Sequence, residues 1–273
     1  MRYCKYLSAD GPRYASVEMR DGAAWAVANM LPPEEDLAAL RLEDRSPSGG
    51  FVPIAVADLQ QQGKLLAPVT PSKIVCVGRN YRDHAAELGN DVPTEPLLFL
   101  KPPSSLLAPG ATVLMPAISK RIDFEGELAI VIGKRCSKLS GAENVRDYIR
   151  GYTCLNDVTA RDIQKSDPQW TRGKGYDTFC PAGPLVTDEI DAIATNVHLT
   201  TRVNGEVKQR GETKDFIFDI PHLLQYISAC MTLEVGDIIA TGTPAGVGAL
   251  KAGDVIEVDI AGLGVLSNPF AAA

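Results

Sequence analysis

From Lys73 to Gly262 the chain carries seven short runs rich in β-forming residues: KIVCVG, PLLFLK, ELAIVIG, GYTCLND, HLTTRVNG, DIIATGT and DVIEVDIAG. Polar or glycine-containing turns separate them, which is the signature of short strands. Apolar residues fall at helical spacing in FIFDIPHLLQYISAC and, more briefly, around VRDYIRG. Strands that do not alternate with long helices argue against a doubly wound parallel sheet. They predict an α+β fold in the form of a β-rich roll, with its topology open.

One run departs from the rest. In Ile122 to Gly133, IDFEGELAIVIG, two carboxylates stand where a strand normally carries apolar groups. Residues two apart share a face, so Glu125 and Glu127 look one way with Ala129 and Val131, and Phe124, Gly126, Leu128 and Ile130 look the other. Gly126 lets a backbone or a ligand come close. At an effective dielectric of about 20, like charges ~4 Å apart repel by roughly 4 kcal/mol, a large part of a domain's stability. Either a positive group sits between the acids or the face is solvated. A further acid, Asp157, ends the strand-like stretch from Tyr152 and favours the first reading. A set of carboxylates without paired Cys or His suits Mg²⁺ or Mn²⁺, whereas zinc would want nitrogen or sulfur.

Residues 1–70 read as a small β-rich domain ahead of a main domain over 71–273. Asp21-Gly22 is a turn signal between two alternating runs, and LPPEEDLAALRLEDR suits a helix start after Pro32. The proline-containing stretch from Ser46 to Lys73 reads as loop, and Trp25 as core packing. Hydrophobic residues make up 45% of the 273-residue chain, enough to bury a sizeable core. A net charge of -7 argues against nucleic acid or an anionic membrane as partner. Six scattered cysteines without a C-x-x-C pair read as reduced thiols. With no signal-peptide-like stretch and no membrane-spanning run, the expectation is a cytoplasmic protein.

Other constellations carry chemistry. In GRNYRDHAAE, His84 and Glu87 lie three apart and face each other on a helical turn; a carboxylate beside an imidazole orients it as a general base. An exposed helix pair is the alternative. His198 and His222 read as structural. Lys174, between glycines in RGKGYDTFCPAGP, could bind a carboxylate or share the charge of an enolate. Arg161 and Gln164 are spaced to share a helical face and could complete an anion pocket, with Arg161 alternatively pairing Asp157. The turn TGTPAGVG offers Thr241, Thr243 and free amides that could cradle an anion, or is a plain loop. It lacks the Gly-Lys-Ser/Thr of a P-loop, and VGRNY is not a dinucleotide fingerprint.

GRNYRDHAAE, DFEGELAIVIG, LNDVTARDIQ, RGKGYDTFCPAGP, RVNGE and TGTPAGVG, in that order, resemble the fumarylacetoacetate hydrolase family from Lys73 to Pro269. The resemblance implies a mixed β-sandwich roll, a homodimer, and Mg²⁺ or Mn²⁺ held at Glu125, Glu127 and Asp157. It also implies a His84–Glu87 dyad on a mobile lid, substrate contact by Lys174, and a pocket lined by Arg161, Gln164 and Thr243. Members act on small 2-oxo acids or their enols. The dyad points first to hydrolysis of acylpyruvates, such as fumarylpyruvate or acetylpyruvate, to pyruvate and a carboxylic acid. Oxaloacetate decarboxylation, and tautomerisation or isomerisation of related acids, are the alternative, and an inactive metal-binding relative is a further one. The sequence separates neither the substrate nor Mg²⁺ from Mn²⁺.

Overall fold

A computed structural model describes residues 1–33, 36, 51–87, 89 and 91–272. Apart from Pro33 and Asp36, the helix expected after Pro32 falls on residues outside those described.

All seven runs form strands. The largest sheet runs, edge to edge, through Ile54–Ala55, Ala23–Met30, Gly11–Arg20, Arg2–Ser8, Cys180–Thr187, Ile149–Asn156, Gly126–Ile132, Ile238–Ala240, Ile74–Gly78 and Leu97–Lys101. Most neighbours are antiparallel, but Ile238–Ala240 pairs parallel to Ile74–Gly78, so the sheet is mixed. A second sheet of Glu206–Glu212, His198–Val203, Val255–Ile260, Gly264–Ala272 and Val113–Met115 packs across its centre. The architecture is the expected α+β sandwich.

Alternation decides which side chains meet. Leu128, Ile130 and Ile132 enter the core between the sheets with Cys154, Leu199, Val258 and Ile260. Ala129 and Val131 enter a separate cluster on the other face with Cys76, Leu155 and Ile238. Strands buried on both faces read as near-continuous apolar runs, as ELAIVIG does. The helix Ile220–Cys230 starts where Asp219 accepts the His222 amide at 2.9 Å, with Pro221 in its first turn. The brief helical pattern at VRDYIRG is a 3₁₀ turn, Val145–Tyr148.

The amino-terminal strands continue the large sheet through the pairing of Arg2 and Tyr3 with Thr187 and Val186. Asp21 and Gly22 both take positive φ, 48° and 81°, as the predicted hairpin turn requires. Trp25 is only half-buried, beneath the Arg20 guanidinium. The loop expected between Ser46 and Lys73 contains a helix, Val56–Gln61, because Val56 and Leu59 bury one face of it. Among the described residues no helix is long and apolar enough to cross a membrane.

Candidate active site

The three acids stand where two neighbouring strands leave the large sheet together. Glu125 lies between Ile122–Phe124 and Gly126–Ile132, so the single strand expected there is two. Opposite, Asp157 follows Ile149–Asn156, and both chains pair again in a small sheet through Ile122–Ala160 and Asp123–Thr159. Side chains replace ladder bonds at the break. Asn156 Oδ1 accepts the Glu125 amide at 2.9 Å, and Gln209 Oε1 accepts the Gly126 amide at 3.0 Å. The Asp157 amide then donates to the Glu125 carbonyl at 2.8 Å. Freed from the ladder, the backbone turns Glu125 and Asp157 toward Glu127, which stays paired with Leu155, and a ligand oxygen of each lies within 4.8 Å of the others. All three are buried, which removes the solvated-face alternative.

Cations hold this cluster. Lys174 Nζ donates to Glu125 Oε2 at 2.8 Å and to Asp157 Oδ2 at 2.6 Å. Lys101 Nζ takes the other Asp157 oxygen at 2.6 Å, and Arg161 bridges Glu125 Oε1 and Asp123 Oδ2. Arg161 therefore pairs with Asp123 and Glu125 rather than with Asp157, whose two oxygens the lysines occupy. Burial and the neighbouring Asp157 and Glu125 charges push the Glu127 carboxyl well above the usual range. Burial also opposes ionisation of Glu125, but Lys174 and Arg161 outweigh it and hold that carboxyl low. Burial works against the Lys174 ammonium, yet Asp157 and Glu125 carry its pKa above the ordinary lysine value. Oxygen-only donors, an acid that its neighbours disfavour as an anion, and a cation already drawn between two of the three all fit a hard divalent ion. Glu125, Glu127 and Asp157 could hold one.

The short helix Thr171–Lys174 supplies Lys174. Its flanking glycines serve protein packing rather than approach to an anion. A Cβ on Gly173 would lie 2.9 Å from the Gln164 amide, and one on Gly175 would lie 2.6 Å from the Thr171 carbonyl. Gly126 likewise faces a side chain: its Cβ would meet Thr201 Oγ1 of the second sheet at 2.1 Å.

His84 and Glu87 lie on the helix Arg82–Glu87, with Nδ1 to Oε2 at 3.2 Å, His84 buried and the Glu87 side chain 32% exposed. The turn TGTPAGVG does cradle carboxyl groups, and they are the protein's own. Gly242 donates its amide to Glu127 Oε2 at 2.7 Å, and Gly246 donates to Glu87 Oε1 at 3.0 Å. Thr243 Oγ1 donates to the Gly126 carbonyl at 2.9 Å while accepting from Gln209. Asn80 clamps the GRNY turn in place, donating to the carbonyls of Thr241 and Phe218 and accepting the Phe218 amide.

These groups enclose a cavity of about 420 Å³. It is lined by His84, Glu87, Glu125, Glu127, Asp157, Arg161, Gln164, Lys174 and Thr243, whereas Thr241, also offered by the turn, lies outside it, its hydroxyl donating to the Leu128 carbonyl at 2.8 Å. His198 is exposed beside Glu212, and His222 stacks between Phe218 and Tyr226, both away from it. Sequence reading missed Lys101, whose only local signal is a lysine ending an apolar strand. It also missed Asp123, two residues before Glu125, and Arg79 and Trp170 on the cavity wall.

Residues 73–271 match the family described as "Fumarylacetoacetate (FAA) hydrolase C-terminal". The chain belongs to the fumarylacetoacetate hydrolase family. All nine site residues lie within the matched span, and membership makes the chain an enzyme of that family. It is 50% identical over 200 residues to the mitochondrial oxaloacetate decarboxylase of Dictyostelium discoideum, covering 71% of this chain and 91% of that one. It is 45% identical over 218 residues to the oxaloacetate tautomerase YisK of Bacillus subtilis, covering 75% and 72%. Among solved structures, a 2-hydroxyhepta-2,4-diene-1,7-dioate isomerase from Mycobacterium marinum is similar, with a TM-score of 0.81 and 41% identity. That likeness covers 100% of this chain and 98% of the other, so it includes the amino-terminal strands.

Proposed function

We propose that this enzyme moves protons or breaks a bond at C3 of a small 2-oxo acid of the oxaloacetate type, as a tautomerase with decarboxylation as the companion reaction. The observation that carries the reading is the Lys174 ammonium, bonded to Glu125 and Asp157 within the triad and lining the same cavity as the His84–Glu87 pair. Its likeness to an oxaloacetate decarboxylase and an oxaloacetate tautomerase favours this chemistry over acylpyruvate hydrolysis.

Mg²⁺ or Mn²⁺ held by Glu125, Glu127 and Asp157 would supply Lewis-acid stabilisation of the enolate. Arg161 and the side-chain amide of Gln164 orient the C1 carboxylate, Thr243, whose hydroxyl hydrogen goes to the Gly126 carbonyl, shapes the wall beside it, and Lys174 shares the negative charge that develops on the 2-oxo oxygen. In tautomerisation the C3 proton leaves, its electron pair passes to that oxygen, and the oxygen takes up a proton; the reverse regenerates the ketone. In decarboxylation the C3–C4 bond breaks, carbon dioxide departs, and C3 then takes a proton. His84, held by Glu87, carries the C3 proton in both.

The His84–Glu87 contact keeps acylpyruvate hydrolysis as a second reading, in which the same imidazole takes a proton from the attacking water. Following enol–keto conversion and pyruvate release separately, with oxaloacetate, acetylpyruvate and fumarylpyruvate, tests both. Metal-dependent conversion or decarboxylation of oxaloacetate is expected, and chelator should abolish it. Pyruvate from the acylpyruvates alone would replace this reading by hydrolysis. Inertness toward all three would remove both. His84→Ala should slow turnover by about 100-fold or more without changing metal affinity, and an unaltered rate would take His84 out of the mechanism.

A further inference from the structure

Arg79 has no part in the chemistry above, yet its surroundings are built. It follows the strand Ile74–Gly78 with φ of 57°, a left-handed conformation uncommon for a residue with a side chain and concentrated at functional sites. A Cβ on the preceding Gly78 would lie 3.0 Å from a ring carbon of Trp170, so glycine there lets the turn close against the indole. The Arg79 guanidinium then sits over that ring, 5.9 Å from its centroid. Phe99 meets Trp170 edge-on at 5.3 Å, and Lys174 Nζ lies 5.0 Å from the Phe99 centroid. All four side chains line the same cavity, and the two cations are separated by the aromatic pair.

The four cations on the cavity wall are Arg79, Arg161, Lys165 and Lys174. Arg161 and Lys174 are bonded to carboxylates, and Lys165 is exposed. Arg79 is half-buried and, among the described residues, has neither a carboxylate nor another hydrogen-bond acceptor. A guanidinium stacked by one face on an aromatic ring keeps its planar fork of N–H donors for an anion, which it can grip at two points.

We propose that Arg79, seated on Trp170, binds the second carboxylate of the substrate and so selects dicarboxylic over monocarboxylic 2-oxo acids. The inference rests on the 2-oxo acid reading above, and it assigns to a separate group the charge farthest from the reacting carbonyl.

The test compares oxaloacetate with its 4-methyl ester, which has the same skeleton without the second charge. Enol–keto conversion is measured for the metal-loaded wild type, Arg79→Asn and Arg79→Lys. Asparagine tolerates the left-handed backbone, so the turn is kept while the fork is removed. The ratio of kcat/KM for the diacid to that for the ester should fall roughly 10- to 100-fold in Arg79→Asn. Arg79→Lys should be intermediate, since an ammonium keeps the charge and loses the two-point grip. If Arg79→Asn fails to fold by circular dichroism, the Arg79→Lys ratio decides. A wild type that prefers the diacid together with variants that keep the preference, or that lose both substrates equally, would overturn the role of Arg79 alone. A wild type inert toward both compounds would remove the 2-oxo acid reading and this inference with it.

Discussion

The amide of Gly242 donates to Oε2 of Glu127 at 2.7 Å, across a sequence separation of 115 residues. The bond joins the acid-bearing strand to the threonine-rich turn and fixes the direction of a carboxylate whose neighbours repel its charge. Glutamine at this position keeps the acceptor for Gly242 and loses the charge. Glu127→Gln should fold normally and lower Mn²⁺ affinity on the order of 100-fold. Isothermal titration with Mn²⁺ measures it, and wild-type affinity would exclude Glu127 as a ligand.

Lys101 gives Asp157 a second ammonium from the face that does not line the cavity, and its Nζ also reaches the Val158 carbonyl at 3.1 Å. Methionine would fill the same volume but leave Asp157 Oδ1 and that carbonyl without their donor. Lys101→Met should cost about 2–3 kcal/mol in urea unfolding of the metal-free protein. A stability equal to wild type would mean that the Lys101–Asp157 bond makes no net contribution.

The close approach of Gly126 to Thr201 fixes the spacing of the two sheets beside the site. A methyl group on Gly126 would overlap Thr201 Oγ1, a buried β-branched side chain with little rotamer freedom. Gly126→Ala should therefore destabilise by about 1–3 kcal/mol, and adding Thr201→Ala should recover most of the loss. A double-mutant cycle reads the coupling directly; additive losses would place the strain elsewhere.

Five of the six cysteines are buried and Cys230 is exposed. Burial pushes the thiols of Cys4 and Cys180 up to about 12, and Cys136 up to about 11. A thiol-specific disulfide reagent should label Cys230 quickly in the native protein and the remaining five only after unfolding. Because the folded-state values lie above the ordinary value of 9.0, the unfolded chain releases these protons first. The contribution of these thiols is present below pH 9.0 and is lost as pH rises toward the folded values, so the urea midpoint should fall with alkalinity. Rapid labelling of a second cysteine in the native protein would contradict the packing around it.

Local sequence was enough for the seven strand runs of the main domain, the Asp21-Gly22 hairpin, the helix Ile220–Cys230 and the two acids in an apolar run. Each depends on residues within a few positions of one another, through alternation, turn chemistry or helical spacing. The order of the motifs carried the family and with it the membership of the cavity. What sequence did not carry is how the charges are paired. Arg161 meets Asp123 across 38 residues and Lys101 meets Asp157 across 56. Nothing near any of these residues encodes its partner. The strand break at Glu125 is of the same kind, since the groups replacing its ladder bonds come from Asn156 and Gln209. Short-range periodicity determined which side chains face inward; only the closing of two sheets on each other decided which buried charge answers which, because that depends on where distant strands cross.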